Sequence, residues 1–282
     1  MLLDAVLDCM KKEFAKPPPK WRILTKYSEN DMLFLNNECK TKSEFDPKQM
    51  RLKMINGLQN GESYITVAQC AYGTIYAVYN TPEQYHDIPW NLWGRILRMY
   101  AEDLKPFKIF FLANDAERTF PNNEPITPVN INGGYTYHCN KETIMIYRAE
   151  DATRVLLHEL MHACCLDKME NGIDSVESET EAWAELLYIG FLSQGNTKRF
   201  HELLHQQSAW IIEQNKKVHT YIQTPFQFPW RYTIGKEEVW KRWNILQNVP
   251  IVPMVGQSLR LTFPPNNYYK RAFNVRQSST IL

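Results

Sequence analysis

The stretch RVLLHELMHACC, at residues 154–165, constrains this chain more than any other part of its sequence. If the stretch forms a helix, His158 and His162 lie on one face, because residues four apart point the same way. Every residue that flanks the two histidines from Val155 to Cys164 is apolar, apart from Glu159. A charge on a helix that runs through the interior would lose its hydration, so this pattern predicts a buried helix that carries two imidazoles.

Two histidines on one helical face can hold a zinc ion, and a catalytic zinc site needs one more protein ligand and an open position for water. Glu159 lies beside the same face and can act as the general base for that water. A strand-like segment, ETIMIYRAED, leads into the helix. The sequence therefore predicts a metal centre on a helix that follows a strand.

The third ligand is expected from the acid-rich helix DSVESETEAWAELLYIGFLSQG, at residues 174–195. Glu177, Glu181 and Glu185 form one stripe of this helix. Asp174 and Glu177 resemble a capping box, which gives Glu177 a structural role. We therefore predict that Glu181 is the metal ligand. Glu185 is expected to accept a hydrogen bond from the non-ligating nitrogen of a zinc-bound histidine.

The same five-letter pattern recurs as HELLH at residues 201–205, in a different setting. Two basic residues precede this copy and two glutamines follow it, which indicates an exposed helix. The preferred interpretation is a chance repeat. Two alternatives stay open: the metal binds at His201 and His205 instead, or this helix folds back and borders the cleft.

HELMH, eighteen intervening residues and then Glu181, with an acidic residue four positions later, resembles the gluzincin branch of the zincin metallopeptidases. The resemblance implies an α+β, zincin-like fold, in which a small twisted mixed sheet packs on an active-site helix and a Glu-bearing helix. It also implies a mainly helical C-terminal part. INGGYTY would be the antiparallel edge strand of the cleft, with Gly133, Gly134 and Tyr135 binding an extended substrate. The alternative for this segment is an ordinary hairpin with a Gly-Gly turn.

By the same resemblance, the chain would be a zinc metallopeptidase that takes Zn²⁺ as cofactor and a peptide or protein as substrate. The sequence has no complete G-x-M-E-N segment to hold a free amine, which favours an endopeptidase. An oxyanion donor is expected from His219, Tyr221 or Tyr232, and less from Tyr188. The rival hypothesis is a non-catalytic, zincin-like structural or binding protein that retains zinc.

Four regions are expected along the chain. They are an N-terminal appendage at 1–60, a catalytic core at 61–195, a helical C-terminal subdomain at 196–250 and a C-terminal tail at 251–282. Within them, periodicity predicts helices near 2–15, 90–104, 174–195 and 197–216 and two strands between 63 and 79. The segment TPFQFPWRYT is expected to be a loop.

Composition excludes several classes of protein. Hydrophobic residues make up 44% of the chain, enough for a sizeable core, and the net charge of +1 gives no field that would attract nucleic acid. The apolar runs are too short to span a bilayer, and two aspartates interrupt the first ten residues, so neither a membrane segment nor a signal peptide is expected. The cysteine spacing suggests no disulfide framework, and we expect a cytoplasmic location.

Overall fold

The structure is a computed structural model that describes residues 1–101, 105–224, 226–248 and 253–264. It confirms the predicted α+β class, with a mixed sheet of six strands. The strands are β1 (Arg22–Ile23), β2 (Tyr64–Cys70), β3 (Gly73–Tyr79), β4 (Phe107–Leu112), β5 (Gly134–Tyr135) and β6 (Ile144–Ile146). The helices are α1 (Leu2–Phe14), α2 (Glu29–Lys40), α3 (Met50–Gln59), α4 (Pro82–Asp87), α5 (Trp90–Tyr100), α6 (Pro128–Ile131), α7 (Ala152–Ala163), α8 (Ile173–Ser193), α9 (Thr197–Val218), α10 (Phe228–Tyr232) and α11 (Ile234–Arg242).

The strands lie in the order β1-β2-β3-β4-β6-β5. Strands β3, β4 and β6 are parallel, whereas β5 pairs antiparallel with β6 at one edge. Alternate residues of β3 point to opposite faces: Ile75 and Ala77 join one apolar cluster, and Tyr76 and Val78 join the other. Both faces of the central strands are thus buried, as expected of parallel strands covered by helices on each side.

The N-terminal region is part of the main fold and not the appendage that the sequence predicted. Helix α1 packs on α8, where a Cβ on Gly190 would come within 3.1 Å of the Met10 side chain. Helices α2 and α3 cover the opposite face of the sheet and bury Leu35, Met54 and Ile55 there. Helices α2 and α3 have weak amphipathic patterns, so their position depends on contacts that are distant in sequence.

The C-terminal segment also belongs to the core as far as the structure describes it. Leu259, Leu261 and Phe263 are buried. The side chain of Gln207 on α9 accepts from Phe263 N at 2.8 Å and donates to Leu261 O at 3.3 Å. The tail predicted at 251–282 is therefore wrong for residues 259–263, and its residues from 265 onward lie outside the described part. The loop predicted around residue 230 contains the short helix α10.

Helices α7 and α8 pack side by side and run in opposite directions. Contacts between them pair the start of α7 with the middle of α8 and the end of α7 with the start of α8: Arg154 meets Glu181, and His162 meets Glu177. Strand β6 ends a few residues before α7 begins, and its neighbour β5 is the edge strand. The sheet edge, α7 and α8 therefore meet at one place. The candidate site lies there.

Candidate metal centre

Three side chains on α7 and α8 converge. The Nε2 atoms of His158 and His162 are 3.0 Å apart. Glu177 Oε2 lies 3.4 Å from His158 Nε2, and Glu177 Oε1 lies 3.9 Å from His162 Nε2. Within the described residues, these three form the one group of histidine, cysteine or acidic side chains whose ligand atoms are close enough to hold a metal ion.

The surroundings of these atoms fit a bound cation. Glu177 Oε2 is buried and has no hydrogen-bond donor, which is a costly state for a carboxylate oxygen unless a cation compensates it. The two imidazole Nε2 atoms, which are within hydrogen-bond distance of each other, point to the same place as this oxygen. Two histidines and a carboxylate suit zinc and other first-row divalent ions, so the donors by themselves leave the identity of the metal open.

The structure gives Glu181 and Glu177 different places from those that the sequence predicted. Glu181, the predicted ligand, is buried one turn away, with Oε1 3.0 Å from His158 Nδ1 and Oε2 2.6 Å from Arg154 Nη2. Glu177 reaches the two Nε2 atoms instead. The capping box that assigned Glu177 a structural role does not form, because α8 begins at Ile173, before Asp174, and has no side-chain cap.

Glu185 does not contact a histidine either, although the sequence predicted it as the partner of the non-ligating nitrogen. It is fully buried and pairs with the ammonium group of Lys236 on α11, 3.3 Å away. Glu181 holds the position beside His158 that was predicted for Glu185. The contacts are thus shifted by one helical turn: Glu177 lies where Glu181 was expected, and Glu181 lies where Glu185 was expected.

Opposite charges face each other along the contact between α7 and α8. Burial lowers the pKa of His158, but the carboxylates of Glu181 and Glu177 outweigh that effect and raise the pKa to about 10. Burial raises the pKa of Glu181, but Arg154 and His158 outweigh it and hold the pKa at about 2. In the absence of a metal, His158 is therefore protonated at neutral pH and Glu181 is ionised.

Glu159, the predicted general base, lies on the side of α7 that faces the sheet edge. Burial raises the pKa of its carboxyl group to about 8, and the nearby carboxylates of Glu177 and Glu181 add to this effect while His158 opposes it. A Cβ placed on Gly134 of β5 would lie 3.3 Å from Glu159 Oε1 and only 2.5 Å from the Val155 side chain. Strand β5 can approach the glutamate this closely because Gly134 has no side chain.

The edge strand borders the same cavity as the metal-site residues. Gly133, Gly134 and Tyr135 line a cavity of about 280 Å³ together with His158 and Glu159. The antiparallel pairing of β5 at the sheet edge confirms the predicted edge strand, and the alternative of a Gly-Gly turn is not seen.

The side chain of Tyr135 is anchored away from α7. Its hydroxyl group donates to Glu38 Oε1 at 2.6 Å and accepts from the buried guanidinium of Arg51. Both partners belong to the N-terminal helices. The N-terminal region therefore fixes the position of the edge strand.

Of the four oxyanion candidates, Tyr232 alone is in this cavity. Burial and the Glu177 carboxylate raise the pKa of Tyr232 well above its usual value, so its hydroxyl group stays protonated. His219 is exposed at the end of α9, and Tyr221 stacks on Phe120. Tyr188 lines a separate cavity near the start of α7.

Four further residues near His162 were not predicted from the sequence as parts of the site. Asp167 Oδ2 lies 2.8 Å from His162 Nδ1, and Asp167 Oδ1 lies 3.1 Å from His138 Nε2. A disulfide joins Cys139 to Cys165, where the cysteine spacing suggested no such bond. Asp167 could have been suspected only from its position five residues after His162.

The second HELLH is an exposed part of α9, as predicted. His201 and His205 both face solvent, whereas Leu203 and Leu204 between them are buried. Neither histidine lines the cavity of the metal centre. The spacing of the letters alone therefore does not make a site.

Comparison with protein-family models, with curated proteins and with solved structures finds no match for this chain. Within the described residues, no helix is both long enough and apolar enough to cross a membrane.

Proposed function

We propose that this chain is a zinc-dependent peptide-bond hydrolase of the gluzincin type, with a zincin-like fold and a preference for internal peptide bonds. One observation carries the proposal: His158, His162 and Glu177 converge in the cavity that also holds the buried carboxyl group of Glu159. Three protein ligands that leave room for water, with a glutamate beside them, are typical of catalytic zinc sites and unnecessary in structural ones.

We assign Glu177 as the third ligand in place of Glu181, because its carboxylate lies beside the Nε2 atoms of both histidines. With Glu177 as the ligand, the acidic residue four positions later is Glu181, and its carboxylate contacts His158 Nδ1. An acidic residue four positions after the Glu ligand is the feature on which the gluzincin resemblance partly rests. The spacing between the second histidine and the Glu ligand is then one helical turn shorter than in that pattern.

The roles of the protein groups follow from their places. A zinc ion held by His158, His162 and Glu177 would supply Lewis acidity towards water and the scissile carbonyl group. Glu159 would take a proton from the attacking water and deliver it to the leaving amine, a role that fits its place in the same cavity as the three ligands. Tyr232 would donate its hydroxyl proton in a hydrogen bond to the developing oxyanion.

The substrate is proposed to be a peptide or protein segment in extended conformation. Strand β5 is at the sheet edge and lines the cavity, so a substrate strand could pair with its backbone beside Glu159. Tyr135, held by Glu38 and Arg51, would fix the position of that strand relative to the cavity. The predicted cytoplasmic location stays a prediction.

The test measures zinc content and peptidase activity together in Glu159→Gln and in His158→Ala. We expect Glu159→Gln to retain zinc and lose activity by at least about 100-fold, since general-base catalysis contributes about 10²–10⁴-fold. His158→Ala should lose both. Zinc binding without peptidase activity in the unmodified protein would favour the non-catalytic alternative, and unchanged activity in Glu159→Gln would refute the mechanism.

A further inference from the structure

We propose that His138 is a positioning residue for the metal centre, acting through Asp167 on His162, and that the Cys139–Cys165 disulfide holds it there. The inference rests on the proposed function, because it concerns the affinity of the same site for zinc. It adds a control of that affinity by the redox state of one cysteine pair.

Hydrogen bonds link three side chains in a row. His138 Nε2 lies 3.1 Å from one oxygen of Asp167, and the other oxygen lies 2.8 Å from His162 Nδ1. His162 Nε2 then faces the metal position. The Asp167 side chain is only 1% exposed, whereas that of His138 is 44% exposed. A carboxylate that accepts from the non-ligating nitrogen fixes both the tautomer and the ring orientation of a metal-binding histidine.

The disulfide joins the two chain segments that carry His138 and Asp167. His138 precedes Cys139 in the connection between β5 and β6, and Asp167 follows Cys165 after α7. The backbone N–H groups of both cysteines donate to the carbonyl oxygen of His162, at 2.9 and 3.1 Å. The bond therefore ties His138 and Asp167 to the residue whose ring they orient.

Besides the disulfide, the bond from Cys139 N–H to His162 O and that from Lys108 N–H to Lys141 O join the β5–β6 connection to the rest of the fold. Hydrogen bonds of Thr136 and Asn140 stay within the β5–β6 connection. Both cysteines of the bond have left-handed backbone conformations, with φ of 61° and 55°, which residues other than glycine seldom adopt without a constraint. Once the bond opens, this connection can move away from α7 and carry His138 with it.

Both cysteines are exposed, so a reductant can reach the bond. A dithiol would attack one sulfur as a thiolate, form a mixed disulfide and close on itself. Its two electrons and two protons would leave Cys139 and Cys165 as free thiols and the dithiol as a cyclic disulfide. Asp167 would then keep His162 as its partner but lose the support of His138.

The test compares the zinc affinity of the full chain, by competition with a chromophoric chelator, in the oxidised protein and in Cys139→Ser/Cys165→Ser. We expect the double variant to bind zinc about 10-fold more weakly, at the lower end of the effect of losing an outer partner of a metal ligand. Cys164→Ser is the matched control, because it alters the neighbouring thiol and leaves the disulfide intact. Opening the bond of the unmodified protein with a phosphine should give the same loss without a substitution.

His138→Ala should weaken zinc binding to a similar degree, and His138→Gln, which keeps an N–H donor for Asp167, should restore it. The proton resonance of His162 Nδ1–H should broaden or shift in His138→Ala and in the double cysteine variant, a change that a mere loss of stability would not cause. Because His138 acts only when the bond is closed, His138→Ala should have no further effect in the double variant.

Equal zinc affinity with the bond closed and open would overturn the inference and leave the proposed function in place. Absence of zinc binding in the oxidised, unmodified protein would overturn the proposed function, and this inference with it.

Discussion

Glutamine substitutions at Glu177 and Glu181 separate the two glutamates that sequence spacing and structure assign differently. Glu177 is the ligand by geometry, and its Oε2 atom has no hydrogen-bond partner. Glu181 is the ligand by spacing, but its two oxygens are occupied by Arg154 and His158. Glu177→Gln should therefore lower mainly the zinc affinity, and Glu181→Gln should lower mainly the stability of the metal-free protein.

Glu177→Gln removes a partly buried charge, one oxygen of which, Oε2, has no hydrogen-bond partner. We expect the free energy of unfolding of the metal-free protein to fall by about 1 kcal/mol, less than in Glu181→Gln, because Glu181, the closer carboxylate, still pairs with His158 when Glu177 is replaced. Zinc affinity should fall by more than about 100-fold, since the loss of an outer partner alone costs about 10–100-fold.

Glu181→Gln should act mainly on stability. The guanidinium group of Arg154 is 1% exposed, and two of its nitrogens already have no hydrogen-bond partner. Removing its nearest carboxylate leaves a buried charge, which typically costs about 3–5 kcal/mol. Zinc affinity should fall by only about 10–100-fold, because His158 keeps its ligating nitrogen and loses an outer partner.

Urea unfolding of the metal-free variants gives the first quantity, and chelator competition gives the second. Glu179→Gln is the control on the same helix: Glu179 is partly exposed and pairs with Arg242 at the surface, so both quantities should stay within error. If Glu181→Gln abolishes zinc binding while Glu177→Gln preserves it, the ligand is the one that the spacing predicted, and our assignment from geometry is wrong.

Three further predictions concern the neighbouring groups. Gly134→Ala should lower peptidase activity more than zinc content, because the added Cβ presses on α7 beside Glu159; unchanged activity would show that β5 is not part of the cleft. Lys236→Met should destabilise the protein by about 3–5 kcal/mol by leaving Glu185 buried without its cation, and adding Glu185→Leu should recover most of the loss in urea unfolding. The metal-free protein should lose stability as the pH rises from about 6.5 through 10, because folded His158 binds its proton more tightly than the unfolded chain does; a stability that is flat over this range would contradict the pairing with Glu181.

The sequence by itself determined the helix that carries His158, Glu159 and His162. Apolar neighbours on every side predicted a buried helix, and the helical period placed both histidines on one face. The same reasoning separated this copy of the motif from HELLH on α9, whose charged flanks predicted exposure. Periodicity and β-branched composition also placed β2 and β3, since these signals depend only on residues close in sequence.

Which glutamate meets the histidines was decided only by the tertiary structure. Glu177, Glu181 and Glu185 share one stripe, so their phase cannot tell them apart; the point at which α8 crosses α7 chooses among them. That crossing depends on packing against the sheet and α11, and it shifts the stripe by one turn.

Packing between elements also explains the other residues that the sequence did not predict. Asp167, Arg154 and the Cys139–Cys165 bond act through partners that the fold brings together from segments up to 29 residues apart in sequence. Local patterns identify which residues can form a site on one helix. Only long-range packing decides which groups from other elements complete it, because contacts between elements leave no period in the sequence.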